Sequence, residues 1–166
     1  MRYRPLALLF VMLLIAVCGL VIGTSGALPV RVASHFDAAG FANGYMTRDG
    51  YRIFMLAFSV GVPLLVVALI GWLPRLAPNL INIPNRDYWL APERREAALA
   101  ALDASALWLG CLLTALAGAV HWLVIRANAV DPPKLENGPL LTLLGAFVAG
   151  LVCGIVVLMQ RFRKIP

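Results

Sequence analysis

The chain holds two histidines, His35 and His121, and they carry most of the coordination chemistry that its residue types allow. Two imidazoles with a nearby carboxylate, here Asp37, form a donor set for a transition metal, and two imidazoles alone can ligate haem iron. Neither histidine has a second ligand at short spacing, so a metal or haem site depends on the two meeting in space. The plainer expectation is that His35 hydrogen-bonds within its own loop under Phe36, while His121 lies at a membrane interface beside Trp122.

A second pattern runs along one helix. Asp103, Gly110, Thr114 and His121 are separated by 7, 4 and 7 residues. At about 100° per residue these four fall on one stripe, with Asp103 and His121 at its ends, about 27 Å apart. Ionisable groups are costly in lipid and face a bundle interior or an interface. A proton or ion path would need more than Thr114 to bridge that distance, and no other span offers a central carboxylate or histidine. A packing face with polar ends is therefore the expected role of the stripe.

Other chemistry is hard to find. The sequence contains no GxSxG, HExxH, P-loop or Rossmann glycine pattern, and Ser34 beside His35 does not by itself build a catalytic dyad. Cys18, Cys111 and Cys153 all lie in apolar runs without a CxxC pair, as small packing residues do. The chain is thus expected to be non-enzymatic and to need no cofactor.

The elements that must position these residues are membrane spans. Of 166 residues, 61 % are hydrophobic and 13 % charged. A soluble domain is about half apolar and a quarter charged, so the excess points to a bilayer-embedded chain. The apolar runs fall at residues 6–23, 53–73, 98–125 and 140–159, giving an all-α integral membrane fold, one four-transmembrane-helix bundle. Ser25-Gly26-Ala27 resembles a signal cleavage site, but the first run is longer than a signal core, so it is read as a retained helix. Gly19 and Gly23 form a GxxxG pair, and small residues recur at Gly145/Ala149 and Gly150/Gly154. Pro63 should kink the second span. Thr47 is a candidate N-cap with Asp49 in the first turn, and Pro92-Glu93 reads as the start of the third helix.

Basic residues set the orientation. Arg2, Arg4, Arg75, Arg86, Arg94, Arg95, Arg161, Arg163 and Lys164 fall on the side of the termini; Arg31, Arg48, Arg52, Arg126 and Lys134 fall on the other. Nine against five places both termini and loop 74–97 in the cytoplasm and loop 24–52 outside. The net charge of +6 then reports topology and not nucleic-acid binding. Both histidines come to the outer side. Loop 74–97, with Tyr88 and Trp89 as interface anchors, would lie on the membrane surface, open to lipid head groups or a cytoplasmic partner.

The outer loop has internal order. Leu28-Pro29 ends the first helix, Val30 and Val32 alternate with Arg31 as a strand would, and Gly40 and Asn43-Gly44 mark turns. Phe36, Phe41 and Tyr45 would anchor it on the bundle as a lid. Leu28-Pro29, His35-Phe36, Gly40, Gly44-Tyr45 and Thr47-Arg48 together resemble a bacterial membrane domain of unknown function, shared with the N-terminal part of SdpI-type toxin-immunity and signalling proteins. Asn43 stands where that family usually has Asp, and Tyr45 where it often has Trp. The resemblance implies a protein of the bacterial cytoplasmic (inner) membrane that binds a peptide or protein partner at its outer face. The candidate binding residues are His35, Phe36, Asp37, Asn43, Tyr45, Arg48 and His121. The rival expectations are a metal or haem protein using His35 and His121, and an accessory subunit of a larger membrane complex.

Overall fold

A computed structural model describes residues 3–165, and they are mostly helical. Four helices are long and apolar enough to cross a membrane. They are α1 (Arg4–Ser25), α2 (Arg48–Val67, continued by a π-helical turn Ala68–Trp72 and a last turn Leu73–Leu76), α3 (Arg95–Ala127) and α4 (Asn137–Arg163). Each contains the apolar run expected of it. Thr47 caps α2 by accepting the Gly50 N–H at 3.1 Å, with Asp49 in the first turn. Regular helix in α3 starts at Arg95, and Pro92-Glu93 belong to a preceding turn closed on the Ala91 carbonyl.

The hub is α3, against which α1, α2 and α4 all pack. Small residues let these apolar helices approach closely. Gly110 accepts Phe10 of α1 and Val67 of α2, and Gly118 accepts Val17; a Cβ at either glycine would come within 3 Å of those side chains. On α4, Gly150 and Gly154 receive Leu112 and Trp108, and Trp108 Nε1 donates to the Gly150 carbonyl at 3.1 Å. The other small-residue positions, Gly19, Gly23 and Gly145, face open space.

Loop 24–52 folds into an antiparallel hairpin, β1 (Arg31–Phe36) and β2 (Ala42–Thr47), at the end of the bundle opposite the termini. The chain reverses at Asp37–Phe41, not at Asn43-Gly44. Gly44 pairs with His35 inside the ladder, and register shifts on both sides of that pair leave Ser34 and Asn43 as extra residues. Gly40 has φ +87°, and the Leu135 carbonyl occupies the place its Cβ would take. Only glycine fits there.

The hairpin is tied to the α3–α4 connection. Asn128 presents its amide to Ala33 as a neighbouring strand would: Ala33 N–H donates to Oδ1 at 2.8 Å, and Nδ2 donates to the Ala33 carbonyl at 2.9 Å. Leu135 N–H donates to the Gly40 carbonyl at 2.8 Å, and Asn137 Nδ2 donates to the Ala38 carbonyl at 2.9 Å.

At the opposite end, loop 77–94 clasps α4. Asn85, left-handed at φ 52°, donates from Nδ2 to the carbonyls of Phe162 and Arg163, and Trp89 Nε1 donates to the Phe162 carbonyl at 2.9 Å. These donors satisfy carbonyls that a helix C-terminus leaves without partners. Trp89 therefore points at α4 instead of serving as a free interface anchor, and Tyr88 lies under the Arg94 guanidinium, 4.1 Å from its ring centre. The Phe162 ring is wholly buried among Ile81, Ile83, Leu99 and Leu102. Phe162→Ala should cost about 3 kcal/mol through the cavity it leaves, and Asn85→Ala about 1 kcal/mol, both measured by steric trapping in bicelles.

Candidate functional site at the hairpin end

The site begins with a polar group that cannot reach water. His121 has no exposed surface, although its neighbour Trp122 is half exposed. The ring turns inward because α1 and α2 each supply it a hydroxyl. Thr24 Oγ1 lies 2.8 Å from Nε2, and the Tyr51 hydroxyl lies 3.0 Å from Nδ1. The Tyr51 and His121 rings also stack, with centroids 5.7 Å apart.

The directions of these bonds follow from counting protons. Thr24 donates its one hydroxyl hydrogen to the Leu20 carbonyl at 2.7 Å, so toward His121 it can only accept. In a neutral imidazole, which has one N–H, Nε2 therefore carries the hydrogen, Nδ1 is the acceptor, and the Tyr51 hydroxyl donates to it. One directed chain runs from α2 through α3 into α1.

Tyr51 also faces a groove. Between α2 and α3 lies an apolar cavity of about 320 Å³, with Phe54, Phe58 and Pro63 on one wall and Leu116, Val120 and Val124 on the other. Pro63, expected to kink its helix, is a wall residue here. The hairpin sets Ser34, His35 and Met46 over one end of this groove. The ladder irregularity explains how His35 reaches it: an extra residue in a strand re-aims the side chain beside it. Gly44 leaves room for the imidazole, since a Cβ there would lie 2.9 Å from His35 Cβ. His35 is exposed, its Nδ1 is 3.2 Å from Ser34 Oγ, and among the described residues its Nε2 has no hydrogen-bond partner.

The two histidines thus have different surroundings. His35 heads the groove, while both ring nitrogens of His121 are engaged by hydroxyls behind Tyr51. Among the described residues, no three His, Cys, Asp or Glu side chains gather at a spacing that could hold a metal ion.

The other candidate residues disperse. Phe36 packs on the core at the hairpin end with Met46 and Ile125. Asp37 Oδ1 accepts the backbone N–H groups of Ala39 and Phe41, both at 2.9 Å, and so organises the turn. Asn43 and Tyr45 line a separate shallow recess, where the Arg31 guanidinium lies 4.4 Å from the Tyr45 ring centre. Arg48 opens α2 with its Nε buried and, among the described residues, unpartnered.

Along the stripe, Thr114 is fully buried but donates to the Gly110 carbonyl of its own helix at 2.8 Å. Asp103 belongs to the opposite end, where Arg75 grips it with two bonds of 2.8 and 2.6 Å and also donates to the Gly71 carbonyl. Phe10 and Val67, closing over Gly110, separate those two positions.

Tyr51 and Thr24 are absent from the residues that the sequence singles out, and Arg75 appears there only among the basic residues that set the orientation. The available signal was a tyrosine and a threonine at the same depth as His121. No family model matches the chain, and neither a curated protein nor a solved structure does.

Tyr51→Phe should cost about 1 kcal/mol by leaving Nδ1 without its donor. ¹⁵N NMR of the wild type should show His121 with a bare Nδ1 and a protonated Nε2, and Tyr51→Phe should shift mainly the Nδ1 signal.

Proposed function

We propose that this is a non-enzymatic, multi-pass protein of the bacterial cytoplasmic membrane that binds an amphipathic ligand at its outer face, in the groove headed by His35. The observation that carries the reading is the cavity itself, apolar along its walls and polar only where the hairpin crosses its end. Small-molecule sites have this character, with a largely apolar pocket and few polar groups to fix orientation. The nine-to-five distribution of basic residues supports placing the hairpin outside and both termini in the cytoplasm. The resemblance of the hairpin to SdpI-type proteins supports immunity or signalling as the purpose of binding. A cytoplasmic partner would meet loop 77–94 on the faces left free by its clasp on α4.

Two experiments test the reading. Asn43→Cys in intact cells should react with a membrane-impermeant maleimide; reaction only after lysis overturns the orientation. For binding, the purified protein in nanodiscs is melted with either dodecanoic acid or a cationic amphipathic peptide as probe. A ligand at 100 times its dissociation constant stabilises by about 2.7 kcal/mol, a shift of several degrees. At least one probe should raise the melting temperature of the wild type and of Val152→Phe, a lipid-facing control, but not of Val120→Phe, which fills the groove. No shift with either probe overturns the proposal.

A further inference from the structure

We infer that the Thr24–His121–Tyr51 junction is a proton-operated latch: it holds the hairpin end closed while His121 carries one hydrogen, and a second proton on the ring opens it. The latch acts whatever occupies the groove.

The count of hydrogens makes the closed junction specific for one protonation state. A neutral imidazole has one N–H and one bare nitrogen, and here each meets its complement, Thr24 Oγ1 at 2.8 Å and the Tyr51 hydroxyl at 3.0 Å. An imidazolium has two N–H groups and needs two acceptors. Thr24 still serves Nε2. At Nδ1 the new hydrogen points at the hydrogen of Tyr51, unless that hydroxyl turns so that its oxygen accepts. Once turned, it has nothing to donate to, because among the described residues its only hydrogen-bond partner is His121. A buried donor left unpaired lowers the closed population roughly 5- to 150-fold.

The charge finds no counter-ion either, and the ring has no exposed surface. On α1, Cys18 and Arg4 lie about 9 and 30 Å along the helix from Thr24. On α2, Asp49 is exposed and paired with Arg52 at 3.1 Å, and Arg48 only adds positive charge. In the hairpin, Asp37 holds its own turn, Arg31 lies over Tyr45, and His35 is exposed. On α3 and its connection to α4, Arg126 is bonded to Glu136 at 2.8 Å and Lys134 lies over Phe41. A buried charge without a partner is strongly destabilising. The second proton is therefore taken by the open junction, where water can accept from both nitrogens, and taking it drives the opening.

The opening is local. α1 runs into β1 and β2 runs into α2, so parting Thr24 from Tyr51 parts the two ends of the hairpin, where the Arg48 N–H donates to the Val30 carbonyl at 3.0 Å. The far edge hangs from Asn128 and Leu135 by bonds that involve no titratable group. The strands thus swing on the α3–α4 connection and take Ser34 and His35 with them.

Hydrogen exchange at the Arg48 amide in nanodiscs, corrected for its intrinsic pH dependence, reads the opening. Closure has its full strength above the ordinary imidazole value of about 6.5. Below it, protection should fall with a slope approaching tenfold per pH unit, as for one proton bound on opening. His121→Gln, which cannot titrate, should show no such fall, and His35→Ala should keep it. Should His121→Gln fail to fold, ¹⁵N NMR of the wild type carries the test: the doubly protonated His121 signal should appear only in step with loss of Arg48 protection. A doubly protonated His121 beside a protected Arg48 amide overturns the inference. So does protection that is flat in pH, that falls equally in His121→Gln, or that no longer falls in His35→Ala. Loss spread evenly over α3 and α4 overturns it too, because that is unfolding of the bundle and not release of the hairpin end.

Discussion

A polar side chain buried away from water has to find its partners inside the protein, and the hairpin end is arranged around the way His121 does so. An imidazole has two nitrogens to satisfy. Here one accepts a hydrogen bond from the Tyr51 hydroxyl and the other donates one to Thr24 Oγ1, whose own hydrogen is donated to the backbone of α1. Because each hydroxyl comes from a different helix, the relative depth of α1, α2 and α3 is specified as well as their contact. Glycines at 110 and 118 bring the helices close without fixing how far one slides along another. The directed bonds remove that freedom.

The hairpin depends on this arrangement in turn. It starts where α1 ends and finishes where α2 begins, so its strands are held at the separation that the His121 junction sets. Its outer edge is secured separately, by the Asn128 amide standing in for a third strand and by the Leu135 backbone against Gly40. Held on both sides, the hairpin can keep His35 over the groove even though that residue is exposed.

The four helices are legible in the sequence because long apolar runs admit little else. The hairpin is legible in part. The alternation around Val32 and the turn signal at Gly40 are local, whereas its register depends on Asn128 and Leu135, some 95 residues away. That distance is why Asn43-Gly44 reads as a turn and is found as an irregularity in β2. His35 and His121 can both be picked out by type. Their roles cannot, because the hydroxyls that engage His121 sit on other helices, and a groove is a property of two facing surfaces that neither sequence segment states alone. Arg75 is missed for a different reason: Pro74 signals the end of a helix, yet the chain winds on for another turn.

That continuation depends on the π-helical turn Ala68–Trp72. Proline at 74 would clash with the Ile70 carbonyl in a regular helix, and the wider turn relieves the conflict. Winding one more residue into a turn also changes the helix's phase by about 100°. The half of α2 that lines the groove and the half that presents Arg75 to Asp103 are therefore set to different bearings. Like two gears on one shaft with an offset key, the helix serves two unlike neighbours at its ends without compromising between them.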